Sequence, residues 1–100
     1  MRVPPMRNEA TTNRFGASED VTTSDTSAQS GACPAQHYRV RIVAQTADMR
    51  VVIGDNPTAV ATSTLLLAGV TEYANVTPGQ KIAAIQDSAA GKLNITWLTS

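Results

Sequence analysis

The chain has 100 residues, with 8 Lys and Arg against 8 Asp and Glu, 42% hydrophobic residues and 4% aromatic ones. That length allows one domain with one thin core, burying roughly 60–70% of the unfolded surface. A formal net charge of zero offers no basic field to nucleic acid or anionic lipid, and no apolar run approaches the roughly 18 residues of a membrane helix. A single cysteine and a single histidine exclude an intrachain disulfide and a zinc site of their own making.

Residues 1–36 differ in character from the rest. Met1, Val3, Met6, Phe15 and Val21 are scattered without helical or strand period among Ser, Thr, Asp, Asn and Gly. So little apolar surface does not offset conformational entropy, which predicts an extended or disordered N-terminal arm over 1–36. Arg2, Arg7 and Arg14 against Glu9, Glu19, Asp20 and Asp25 leave the arm near neutral. Pro4 and Pro5 favour an extended backbone, so Pro4, Pro5, Met6, Phe15 and Val21 are the candidate residues by which the arm binds a partner. The first ten residues carry Pro, Asn and Glu where a signal peptide needs an unbroken apolar stretch, so no export signal is expected.

From residue 37 to residue 100 the pattern is that of strands. Tyr38, Val40, Ile42 and Ala44 alternate with Arg39, Arg41, Val43 and Gln45, and a second strand spans Met49 to Ile53. Gly54-Asp55-Asn56-Pro57 is a run of four turn formers. A weaker strand is read over Thr58 to Thr64, with Leu65-Leu66-Leu67 leading into Ala68-Gly69, and a further strand over Thr71 to Val76. Thr77-Pro78-Gly79-Gln80 is a type II turn by its Pro-Gly order, because Pro fixes a negative φ and Gly accepts the positive one. Lys81 to Gln86 and Lys92 to Leu98 complete the set as a hairpin closed by residues 87–91, with Leu93, Ile95 and Trp97 inward.

Six short strands separated by turn signals predict an all-β domain over 37–100, a small antiparallel β-sandwich or barrel. Its expected core is Val40, Ile42, Val51, Ile53, Leu66, Tyr73, Val76, Ile82, Ile85, Leu93, Ile95 and Trp97. Pro78-Gly79 before Ala83-Ala84 and Gly91 after it leave too little length for a helix there.

No catalytic site assembles from these residues. Cys33 and His37 are four apart, but Pro34 argues for an extended chain and an incidental thiol in a polar linker. Asp55 and Asp87 lie in separate turns without the alternating carboxylates of a calcium loop, so no metal or cofactor is expected. The glycines form no phosphate-binding motif. The sequons Asn75-Val76-Thr77 and Asn94-Ile95-Thr96 reflect strand composition. Arg39, Arg41 and Arg50 suggest one cationic sheet face, read as solvated or facing a protein partner rather than nucleic acid.

Over about half of the chain, the order Val52-Ile53-Gly54-Asp55-Asn56-Pro57-Thr58-Ala59, Leu65-Leu66-Leu67-Ala68-Gly69, Glu72-Tyr73, Pro78-Gly79-Gln80-Lys81-Ile82-Ala83-Ala84-Ile85 and Gly91-Lys92-Leu93-Asn94-Ile95-Thr96 resembles a group of small virion accessory proteins of tailed bacteriophages. The pattern commonly has Pro where this chain has Leu67, and residues 1–36 lie outside it. The resemblance implies a non-enzymatic structural protein of a virion, assembled in the host bacterial cytoplasm. Its implied role is a capsid decoration or cement protein docked on the major capsid protein and on copies of itself. The alternative is a tail, collar or fibre-associated module facing the host or its glycans. Neither reading involves nucleic acid, a membrane or a small-molecule substrate as partner.

Overall fold

A computed structural model describes residues 14–99, which form eight strands and no helix. They are β1 Arg14–Thr22, β2 Ala28–Gln29, β3 Arg39–Gln45, β4 Met49–Gly54, β5 Thr64–Leu66, β6 Thr71–Asn75, β7 Lys81–Gln86 and β8 Lys92–Thr99. Two four-stranded antiparallel sheets result, ordered β1-β8-β3-β6 and β2-β7-β4-β5. Within them β1 meets β8, β2 meets β7, β3 meets β6 and β4 meets β5. This is a long hairpin folded over on itself, the eight-stranded jelly-roll order.

The alternation in β3 places Val40, Ile42 and Ala44 in the core and leaves Arg39, Arg41 and Val43 half-buried on the outer face. Leu93, Ile95 and Trp97 of β8 are buried opposite Ala44, Ile42 and Val40. From the other sheet come Met49, Val51, Leu66, Ile82 and Ala84, and the core is completed by Val21, Cys33 and Val76. The expected Pro-Gly turn is present: Gly79 has φ 94° and the Gln80 N–H donates to the Thr77 carbonyl at 3.0 Å.

Four expectations change. Residues 14–36 are not an arm: β1 runs along β8 from Arg14↔Thr99 to Thr22↔Lys92, and β2 pairs with β7 at Ala28↔Ala84 and Gln29↔Ala83. Buried hydrogen bonds fix the residue that follows each of these strands. Thr23 Oγ1 donates to the Gly91 carbonyl at 3.1 Å and accepts from the Gly91 N–H at 2.8 Å. Ser30 Oγ accepts from the Ile82 N–H at 2.9 Å while its own N–H donates to the Ile82 carbonyl at 2.8 Å. Such bonds are as specific as apolar burial but leave no hydrophobic signature in the sequence.

The second change is that β7 and β8 lie in different sheets, so residues 87–91 cross between layers instead of closing a hairpin. Third, the strand read over Thr58 to Thr64 is shorter and later, at Thr64–Leu66. The preceding loop is tied across to β2: Gln29 Nε2 donates to Asn56 Oδ1 at 2.9 Å and to the Pro57 carbonyl at 2.7 Å, and the Ala59 N–H donates to Ser27 Oγ at 2.9 Å. Fourth, Tyr73 is not core. It lies opposite Arg41, which puts it on the outer face, whereas Ile53 and Ile85 are half-buried.

Candidate docking surfaces

The one cysteine and the one histidine form no catalytic pair. A turn from Pro34 to His37, with Gln36 at φ 66°, replaces the expected extended linker. Cys33 is buried in the core, and its Sγ lies 3.3 Å from the His37 backbone carbonyl and 3.6 Å from that of Pro34. Burial pushes the Cys33 thiol pKa up, away from the reactive thiolate. The His37 ring turns elsewhere: Nδ1 lies 2.8 Å from the Ala35 carbonyl, and Nε2 packs so close over Gly16 that a Cβ there would sit 2.6 Å from it.

Nor do the carboxylates gather. Asp87 Oδ1 accepts from Arg50 Nε at 3.3 Å, and no group of three or more His, Cys, Asp or Glu side chains comes together among the described residues. Arg50 also donates to the Ser63 carbonyl at 3.3 Å, which places it on the second sheet, apart from Arg39 and Arg41.

Arg39 and Arg41 share the outer face of the β1-β8-β3-β6 sheet. Across β8 and β3 the register sets Phe15 beside Leu98 and Arg39, and Ser18 beside Thr96 and Arg41, with Tyr73 next in line on β6. The Arg39 guanidinium carbon stands 5.7 Å from the Tyr73 ring centroid, within cation–π range. Phe15 is 75% exposed at one edge of this face and Tyr73 54% exposed at the other. Thr96 and Leu98 are nearly covered by their neighbours at its centre.

Of the candidate partner-binding residues, Phe15 therefore presents its ring to solvent. Val21 does not: it is buried opposite Leu93 and belongs to the core, because the register shift between Phe15 and Ser18 inserts a bulge that reverses the alternation of β1, setting Val21 inward while Ser18, Asp20 and Thr22 stay exposed. Pro4, Pro5 and Met6 lie outside the described residues. Tyr73 was missed as a surface residue, and the signal for it was present, since its strand offers Ala74 and Val76 as the inward set.

A second feature lies between the layers. Where β5 and β6 form the sheet edges, a cleft of about 550 Å³ opens, walled by Ile42, Val51, Ile53, Leu66 and Ala74. Glu72 is the charged side chain among its described lining residues. Comparison of the chain with protein-family models, with curated proteins and with solved structures returns no match.

Proposed function

We propose that this chain is a non-enzymatic structural module of a tailed-phage particle, a decoration or cement protein that docks on the repeating surface of the major capsid protein. The observation that carries the reading is the outer face of the β1-β8-β3-β6 sheet, with an exposed aromatic at each edge and Arg39 and Arg41 between them. Exposed aromatic and arginine side chains are the enriched anchors of protein interfaces. A jelly roll adds fold-level support, since the architecture is used by viral capsid domains, though lectins and cupins share it. The ordered resemblance over residues 49–99 points the same way. Function follows from area: a small rigid module adds a weak contact at each lattice position, and such contacts sum.

The alternative, a tail, collar or fibre-associated module that binds host glycans, needs rings set close enough to stack on one sugar chain. Phe15 and Tyr73 stand on strands three spacings apart, about 14 Å. Trp97 is withdrawn into the core. That separation favours a spread contact face.

The test is to label tailed particles, purified from the organism that carries this gene, with an antibody raised against the full chain. Gold on heads supports the capsid reading. Gold on tails moves the module to its alternative place, and unlabelled particles overturn the proposal. Within it, Phe15→Ser combined with Arg41→Glu is expected to reduce occupancy about tenfold or more, the scale of losing one or two anchor residues. The melting transition of that variant should stay in place, because both side chains face outward.

A further inference from the structure

The two flanks of the sandwich are finished differently. On the β1–β2 flank the layers are tied together where the Glu19 carboxylate of β1 accepts from the Gly31 N–H just after β2 at 3.1 and 3.2 Å, while the buried bonds of Thr23 and Ser30 continue the β1–β8 and β2–β7 pairings beyond the strands. On the opposite flank β5 pairs with β4 alone and β6 with β3 alone, and the 550 Å³ cleft lies open between them. Leu65 and Tyr73 on its lining are 42% and 54% exposed, and Leu67 just after β5 and Val70 just before β6 are 50% and 42% exposed. An apolar trough between two unpaired strand edges, with a tyrosine on its rim, has the form that receives an extended or proline-containing peptide.

A peptide of matching character is present in the chain. Residues 1–13, MRVPPMRNEATTN, precede β1. By composition Met1, Val3 and Met6 match an apolar trough, and Arg2 and Arg7 against Glu9 leave the segment one net positive charge to set against the acidic Glu72. Pro4-Pro5 favour an extended backbone that loses little entropy on binding. Proline cannot donate to a strand ladder, so a groove that grips side chains suits this segment better than a bare sheet edge.

Where the segment joins the domain decides whose cleft it fills. Arg14 pairs with Thr99 at the end of β1, on the edge strand farthest from β6, and the direction of β1 there points out past the sheet. Its own cleft requires a reversal and a crossing of about 14 Å of sheet. A neighbouring cleft requires only the span of thirteen extended residues, up to about 45 Å.

We propose that residues 1–13 of one copy occupy the β5–β6 cleft of a second copy, with Arg2 or Arg7 against the second copy's Glu72. The contact is head to tail, so copies close into a ring or extend into a row. It is independent of the particle reading and stands or falls without it.

The test uses the full chain with photo-reactive benzoylphenylalanine at position 6, made as an equal mixture of unlabelled and nitrogen-15-labelled copies. After irradiation, mass spectrometry should find cross-links from position 6 to residues 62–66 and 72–74, with mixed light–heavy pairs in statistical proportion. Glu72→Arg should lower their yield about fivefold or more, the effect of turning a partly exposed ion pair into a repulsion. Because Glu72 is exposed, this variant should melt as the parent does, which is checked on the same sample. Arg2→Glu with Arg7→Glu should restore the yield in the Glu72→Arg background. Cross-links confined to single chains, cross-links mapping elsewhere, no cross-links at any concentration, or a yield indifferent to Glu72 would each overturn the proposal.

Discussion

Thr46 holds φ at 81°, a left-handed conformation in which its β-branched side chain crowds its own backbone. It follows the last residue of the strand that carries Arg39 and Arg41, and its exposed side chain gains no burial for the strain. Thr46→Asn should therefore raise stability by about 0.5–1 kcal/mol in denaturant titrations, since Asn tolerates this region of backbone space. An unchanged midpoint would mean that the strain is relieved elsewhere in the turn. Cys33 gives a prediction in pH. Its folded-state pKa is raised by burial, so the unfolded thiol ionises first. Its contribution is then complete below the unfolded pKa of about 8.5 and is lost as pH rises towards the folded value. The difference in stability between the parent and Cys33→Ala should shrink above about pH 8.5, by at most about 1.4 kcal/mol per pH unit. A constant difference across alkaline pH would show that the thiol is not held neutral. Neither the depth of Cys33 nor the strain at Thr46 is written in residue type. A lone cysteine between Ala and Pro reads as linker until the Gly79 N–H and the Gln80 carbonyl close on its backbone at 2.9 and 2.7 Å.

At the scale of elements, legibility followed the number of buried side chains per strand. β3 and β8 alternate cleanly because each packs one face on the core, and their register could be anticipated from Val40, Ile42, Leu93, Ile95 and Trp97. β1 could not be, and the bulge explains why. Phe15 and Val21 are six residues apart and would share a face on a regular strand, yet one is exposed and the other buried, because the two residues Gly16 and Ala17 stand opposite Trp97 alone. The phase break erases the period-2 signal from a strand held mainly by backbone pairing. Removing residues 2–30 would delete β1 and β2 and bare one side of β8. We therefore expect that truncation to abolish cooperative thermal unfolding, and amide exchange in the full chain to show protection across Ser18–Thr22. A truncated chain that melts as the parent does would restore the reading of this segment as an arm. Trp97 is 2% exposed, and Trp97→Ala should cost about 3–5 kcal/mol, with native indole emission at the blue end expected of a buried ring. A red-shifted emission and a tolerant substitution would contradict its place in the core.

For the molecule as a whole, the nested pairing sets an order of assembly. Met49↔Leu66 joins β4 to β5 over a short loop, whereas Arg14↔Thr99 joins β1 to β8 across almost the whole described chain. Loop-closure entropy grows with the logarithm of the separation, so early β1–β8 pairing would cost the most before any contact rewards it. Once β3, β4, β7 and β8 have packed, β8 is already in place and β1 needs only to dock along it. Topologies so rich in distant pairings refold in roughly milliseconds to seconds. Val21→Ala removes a buried side chain from β1 and should cost about 2 kcal/mol, intermediate among core truncations. Because its contacts form late, that loss should appear almost entirely as faster unfolding, with the folding rate little changed. Leu66→Ala, in the innermost pair, should instead slow folding. Stopped-flow rates against denaturant for the two variants separate these cases. A folding arm slowed by Val21→Ala as much as by Leu66→Ala would place the outer pair in the nucleus and reverse the order argued from the topology.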